Sequence, residues 1–254
     1  WTWGRNRGGN LGQNNETQYS SPVQVGSDTT WKTLAMGDFS TLAIKTDNTL
    51  WVWGRNSSGM LGLNQTGATY YSSPVQIPGT TWTSISEQNW DSWGAVKTDG
   101  TLYLWGNNSN GILGDNSTAS KSSPIQVPGT TWSKTTGANT QRWAIKTDGT
   151  LWGWGRNEVG QLGQNSVIHR SSPVQVPGTT WKDIASTVTG AVTAVKTDGT
   201  MWSWGNSDFG SSGRNVTSNP NRVSSPVQIG SNNNWDLIAA GYGNFGAITS
   251  GDSD

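Results

Sequence analysis

The stretch Leu151-Trp152-Gly153-Trp154-Gly155-Arg156-Asn157-Glu158-Val159-Gly160-Gln161-Leu162-Gly163 is one copy of a pattern that runs through the chain. Its core, W-x-W-G, also occurs at Trp1–Gly4, Trp51–Gly54 and Trp202–Gly205, and Tyr103–Gly106 is a variant with Tyr first. The closing glycines stand at 4, 54, 106, 155 and 205, about 50 residues apart. Two further markers keep the same period. The string S-S-P-[VI]-Q-[VI] places Pro at 22, 74, 124, 173 and 226, and a lone Trp stands at 31, 82, 132, 181 and 235. Three markers in one period imply tandem structural units. The chain therefore reads as one domain, residues 1–254, of five repeats.

Each repeat reads as β structure. Pro-Val-Gln-Val is a short strand with Pro at its start, where a missing N–H does least harm. Leu42-Ala43-Ile44-Lys45 is an apolar strand, followed by Asp-Gly at 99, 148 and 198, with Asp47-Asn48 as the variant. Asp-Gly between strands predicts a two-residue hairpin with both central residues left-handed. The return strand, Thr-Leu-Trp-x-Trp-Gly, alternates its faces. Four short strands in about 50 residues predict a propeller blade. The expected fold is an all-β, five-bladed propeller of four-stranded blades. The chain begins with the strand its last repeat lacks, so residues 1–4 are expected to pair with the C-terminal blade and close the ring. Leu11, Leu61, Leu113 and Leu162 are expected to plug the glycine-rich loops; Ser212 replaces them in the last repeat.

Composition removes several function classes. Sixteen basic residues balance sixteen acidic ones, which offers no footprint for a nucleic-acid backbone. Zero Cys excludes disulfides, thiol nucleophiles and Cys-ligated metal. No 18-residue apolar run is present, so no membrane insertion is expected. Aliphatic residues are scarce, and seventeen Trp supply the core area in their place. The opening on Trp1 suggests a processed chain or a part of a larger polypeptide or assembly.

W-G-x-N-x-x-G-x-L-G, then P-V, then D-G-T-x-W-x-W-G resembles the repeat of the regulator of chromosome condensation family. The resemblance covers all five units. It implies a β-propeller, usually seven-bladed, and a family that includes binders of protein partners. Nucleotide exchange on a small GTPase follows from that family alone; the neutral charge and the missing family-typical loop histidines speak against it.

Little points to catalysis. His169 is the single histidine and sits in a variable linker, where a solvent-exposed loop residue is the plain reading. The Asp-Gly carboxylates recur in register, which suits a turn and not an active site. Glu87 and Arg142 do not assemble a sialidase-like set, so a glycan-cleaving propeller is the weaker alternative. Six N-x-[ST] sequons match chance. No enzyme activity, cofactor or metal is expected. A non-enzymatic recognition module is expected instead, with a glycan or a protein as partner. Its poverty in charge and Cys suits an extracellular or virion-surface protein.

The variable segments between the lone-Trp strand and the next strand carry the candidate site. They hold Phe39, Trp90, Asp91, Trp93, Arg142, Trp143, Tyr242 and Phe245, which break the repeat with large side chains. Aromatic residues around an Arg compose binding hot spots. The linkers with Tyr19, Tyr70, Tyr71, Lys121, His169, Arg170 and Arg222 rank second.

Overall fold

The computed structural model describes residues 1–67, 69–86, 91–215 and 222–251. They form twenty strands in antiparallel ladders, with no α-helix among the described residues. The first two, β1 (Thr2–Gly4) and β2 (Tyr19–Val23), pair with each other. Four sheets of four follow. The first is β3 (Trp31–Met36), β4 (Ser40–Lys45), β5 (Leu50–Arg55) and β6 (Tyr70–Ile77). The second is β7 (Trp82–Ile85), β8 (Ser92–Lys97), β9 (Leu102–Gly106) and β10 (Lys121–Gln126). The third is β11 (Trp132–Ala138), β12 (Gln141–Lys146), β13 (Leu151–Gly155) and β14 (Arg170–Gln175). The fourth is β15 (Trp181–Ser186), β16 (Ala191–Lys196), β17 (Met201–Gly205) and β18 (Val223–Gln228). The last pair is β19 (Trp235–Ala240) with β20 (Phe245–Thr249).

The chain divides into two compact units. One comprises Trp1–Ser109 with Ser117–Thr130, the other Asn110–Asn116 with Thr131–Asp254. Residues 2–4 pair with β2 within the first unit, and the last hairpin pairs β19 with β20 within the second. Within each unit the strands stack in sequence order, as in a meander.

Burial follows strand position. The second strand of every complete sheet is buried along its length up to the terminal Lys. It carries the aliphatic core, Leu42 and Ile44 in the first unit and Val192 and Ala194 in the second. The second Trp of W-x-W-G links consecutive repeats. Trp53 Nε1 donates to the Asn10 carbonyl at 2.9 Å, Trp105 to Met60 at 3.0 Å, Trp154 to Ile112 at 2.8 Å and Trp204 to Gln161 at 2.8 Å. Each acceptor directly precedes a buried Leu of the glycine-rich loop, so those leucines do plug the loops. The loop is pinned by its Asn: Asn157 Oδ1 accepts from Leu162 N–H at 2.9 Å, and its Nδ2 donates to the Ser166 and Ile168 carbonyls. Asn6 and Asn56 do the same for Leu11 and Leu61. Asn56, although within a sequon, is therefore a buried staple.

The hairpins differ from the two-residue turns expected. Each is a three-residue loop, for example Thr98-Asp99-Gly100, in which Gly100 N–H donates to the Lys97 carbonyl at 3.0 Å and Lys97 N–H to the Thr101 carbonyl at 2.9 Å. Of the three residues only the last is left-handed: Asn48, Gly100, Gly149 and Gly199, with φ from 62° to 77°. This is a type I turn with a left-handed bulge residue. The reason lies in Asp and Thr together. Asp99 Oδ1 accepts from Thr101 N–H at 2.9 Å and from its hydroxyl at 2.6 Å, and Asp47, Asp148 and Asp198 repeat the arrangement. That side-chain bridge holds Asp in a right-handed turn.

Candidate functional site

The predicted site residues separate into core and surface. Trp93, Arg142 and Trp143 are fully buried, against the solvent-facing role expected of them. They are not loop residues but lie within β8 and β12, in the strand that carries the core of each sheet. Trp93 Nε1 donates to Ser40 Oγ at 3.1 Å. Trp143 stands opposite Gly153 on β13, and a Cβ at 153 would lie 3.1 Å from the Trp143 ring. The large side chain is thus matched by the absence of one across the ladder. Burial pushes the Arg142 guanidinium down to about 10. Trp90 lies outside the described residues.

Phe39 and Asp91 do come together. Phe39 ends the loop between β3 and β4, and Asp91 immediately precedes β8. They line a pocket of about 260 Å³ with Asp38, Arg55 and Ser57. The Arg55 guanidinium carbon lies 5.4 Å from the Phe39 ring centroid, a cation–π contact. Arg55 Nε is buried and has no hydrogen-bond partner among the described residues. Ser57 Oγ donates to Asp91 Oδ1 at 3.3 Å. Burial pushes the Asp91 carboxyl up from its ordinary value, and Asp38 adds to this; the Ser57 hydrogen bond and Arg55 pull the other way. The pocket thus offers an aromatic face, a guanidinium edge and a carboxylate within one loop cluster. Ser57 was hidden in the sequence because it follows the repeated W-G-R-N segment at a position that varies between repeats, and Arg55 because it stands within that segment. The available signal was that Arg there gives way to Asn107 and Asn206 in two repeats.

Tyr242 and Phe245 belong to the second unit. Tyr242 is 78% exposed, and Phe245 lines a separate cavity of about 330 Å³ with Met201, Phe209, Ile229 and Ile238. Phe209, 93% exposed, is the most exposed large apolar side chain here. Among the rim residues ranked second, His169 Nδ1 accepts from Asn157 N–H at 2.8 Å and so braces its own loop. Among the described residues no three His, Cys, Asp or Glu side chains cluster as metal ligands.

The repeat signature can now be set beside known proteins. The model described as regulator of chromosome condensation (RCC1) repeat matches residues 1–44, 99–136 and 148–191, and a second model of the same description matches 31–59. Together they take in more than half of the chain. The chain belongs to the RCC1 repeat family. Solved structures agree in fold. Human WBSCR16 is similar with a TM-score of 0.79 at 19% identity, over 97% of this chain and 66% of that one. Prp20p from Saccharomyces cerevisiae, described with its binding properties to Gsp1p and histones, gives 0.76 at 18% identity, over 94% of this chain and 61% of that one. Yeast RCC1 (Prp20) bound to Kap60 gives 0.61 at 16% identity, over 97% and 75%. This RCC1-repeat chain thus spans less than two thirds of the length of the first two structures. No curated protein sequence matches it.

Proposed function

We propose that this chain is a non-enzymatic recognition module that binds a protein partner through the Phe39–Arg55–Asp91 pocket. The observation that carries this reading is the pocket's composition: an Arg at a strand end in cation–π contact with an aromatic ring, beside a partly buried carboxylate. Such groups dominate the energetics of protein interfaces. The RCC1-family neighbours favour a protein over a glycan, since Prp20p is described with Gsp1p and histones and as bound to Kap60. The test uses a purified Gsp1p-type GTPase and core histones as probes, measured by calorimetry. Binding to either should weaken at least tenfold in Phe39→Ala and in Arg55→Ala, with melting temperatures unchanged. Equal binding by wild type and both variants, or no binding of either probe, would refute the reading. Binding on a glycan array that Phe39→Ala abolishes would instead make the pocket a lectin site.

The proposal extends to five blades. The pair β1–β2 and the pair β19–β20 hold complementary halves of the four-strand order, and each leaves apolar side chains exposed: Trp3, with Trp1 just before it, in one, and Leu237 and Ile248 in the other. Joined, they complete a fifth blade and remove two open edges. Deleting residues 1–4 should then lower the melting temperature sharply; an unchanged value rules out the five-blade count.

A further inference from the structure

Away from the loop pocket, the first unit contains the same groove twice, one repeat apart. Each is floored by the lone Trp of a repeat and by the Lys that ends the second strand of the sheet. In the first, Lys45 Nζ sits 4.8 Å from the Trp31 ring centroid and 3.9 Å from that of Trp51. A carboxylate of the chain itself occupies that cation: Asp28 Oδ2 lies 2.5 Å from Lys45 Nζ. Asp28 is held in place by Thr30, whose N–H and hydroxyl both donate to Oδ1.

The second groove has the same cation without the carboxylate. Lys97 Nζ lies 4.8 Å from the Trp82 ring and 4.6 Å from the Tyr103 ring. Three residues before Trp82, where Asp28 stands before Trp31, the chain has Gly79. A Cβ built there would lie 4.0 Å from Lys97 Nζ, so the approach used by Asp28 is open. Among the described residues Lys97 has no ion-pair partner. The groove holds about 510 Å³, within the range of small-ligand sites. Its walls combine aromatic faces, Tyr71 and Tyr103, with the neutral amides of Asn64, Gln65 and Gln76. Tyr71 donates to Gln65 Oε1 at 2.5 Å, which leaves the Gln65 NH₂ to donate outward. At the Tyr71 register position β2 has Tyr19 and the next two sheets have Lys121 and Arg170. Tyr103 stands where Lys45, Lys146 and Lys196 have Trp51, Trp152 and Trp202, so the pairing of two phenol walls belongs to this groove.

We propose that the Lys97 groove binds a carboxylate-bearing sugar of the uronic acid class. The carboxylate takes the place on Lys97 that Asp28 takes on Lys45. The pyranose C–H face lies on the tyrosine rings, and its hydroxyls meet the amides. A bare carboxylate would use only the Lys, and a neutral hexose only the walls.

The probe is D-glucuronate, titrated into the intact chain and followed by NMR, with D-glucose, acetate and a Glu-containing tripeptide as controls. Saturable glucuronate binding at least tenfold tighter than that of any control is expected. Lys97→Met should weaken it at least tenfold. Lys45→Met should leave it unchanged, because that cation is already occupied. No saturable glucuronate binding, or binding that survives Lys97→Met, overturns the proposal. Tripeptide or acetate binding equal to glucuronate also overturns it, in favour of a plain carboxylate site. Should Lys97→Met fail to fold, the wild type still decides: glucuronate must perturb the resonances of Gln65, Tyr71 and Tyr103, and perturbation confined elsewhere refutes the site.

Discussion

Asp91 and Trp143 show how much one position can hide from a sequence reading. Asp91 carries a carboxyl whose pKa is raised above its ordinary value of 3.8 by burial. Ionisation is therefore harder in the folded chain than in the unfolded one. Stability is whole below the unfolded value and falls as pH rises through the raised folded value. Asp91→Asn should accordingly melt higher than wild type at pH 7, with the gain vanishing near pH 3; a constant difference across that range would contradict this account. Trp143 was conspicuous in the sequence as a Trp off the repeat, and its conspicuousness suggested a ligand. What the sequence did not display was Gly153 across the ladder, which accommodates the ring. Pairing between strands is non-local, so this compensation is readable only once the register is known. Trp143→Ala should destabilise by about 3–5 kcal/mol, the usual cost of removing a buried Trp. Chemical denaturation measures it, and a loss under 1 kcal/mol would return Trp143 to the surface.

At the scale of elements, the period and the strands were legible because each repeat restates them. The turn type was not, since it depends on the Asp side chain accepting from Thr two residues on. The Lys cages were also missed. Lys45, Lys97, Lys146 and Lys196 each sit over two rings, one from the lone Trp and one from the first ring of W-x-W-G. The three residues lie on three successive strands and meet only when those strands pair. The glycine-rich loop illustrates the other extreme, where one residue type is dictated twice. Gly62 has φ 69°, and a Cβ there would lie 2.8 Å from Trp105 Nε1, the atom that donates to the Met60 carbonyl. Gly26 has a similar φ of 62° but nothing within 4 Å. Gly26→Ala should therefore cost only the backbone strain, about 1 kcal/mol. Gly62→Ala should cost that plus overpacking, about 1–3 kcal/mol more, and should shift the Trp105 indole N–H resonance. Equal losses for the two variants would mean that the ring moves aside freely.

For the molecule as a whole, charge is the property with the widest reach. The formal net charge is +0, and several of its cations are already engaged within the fold. Four lysines are held over aromatic rings, Arg142 is fully buried, and Lys134 and Lys182 are paired with Asp183 and Asp236. Binding to a phosphate backbone draws its free energy from cations that displace condensed counterions, one for each phosphate neutralised. A neutral surface with several of its cations so engaged offers little of that source. The proposed function relies instead on the aromatic and guanidinium chemistry of the Phe39 pocket, which depends little on bulk charge. The chain should therefore bind duplex DNA more weakly than about 10⁻⁴ M at physiological salt, the weak end of non-specific binding. Fluorescence anisotropy with a labelled duplex between 50 and 200 mM salt checks this. Micromolar affinity with a steep fall in salt would show a basic surface that the residue pairing described above does not contain, and would shift the search for a partner from proteins to nucleic acid.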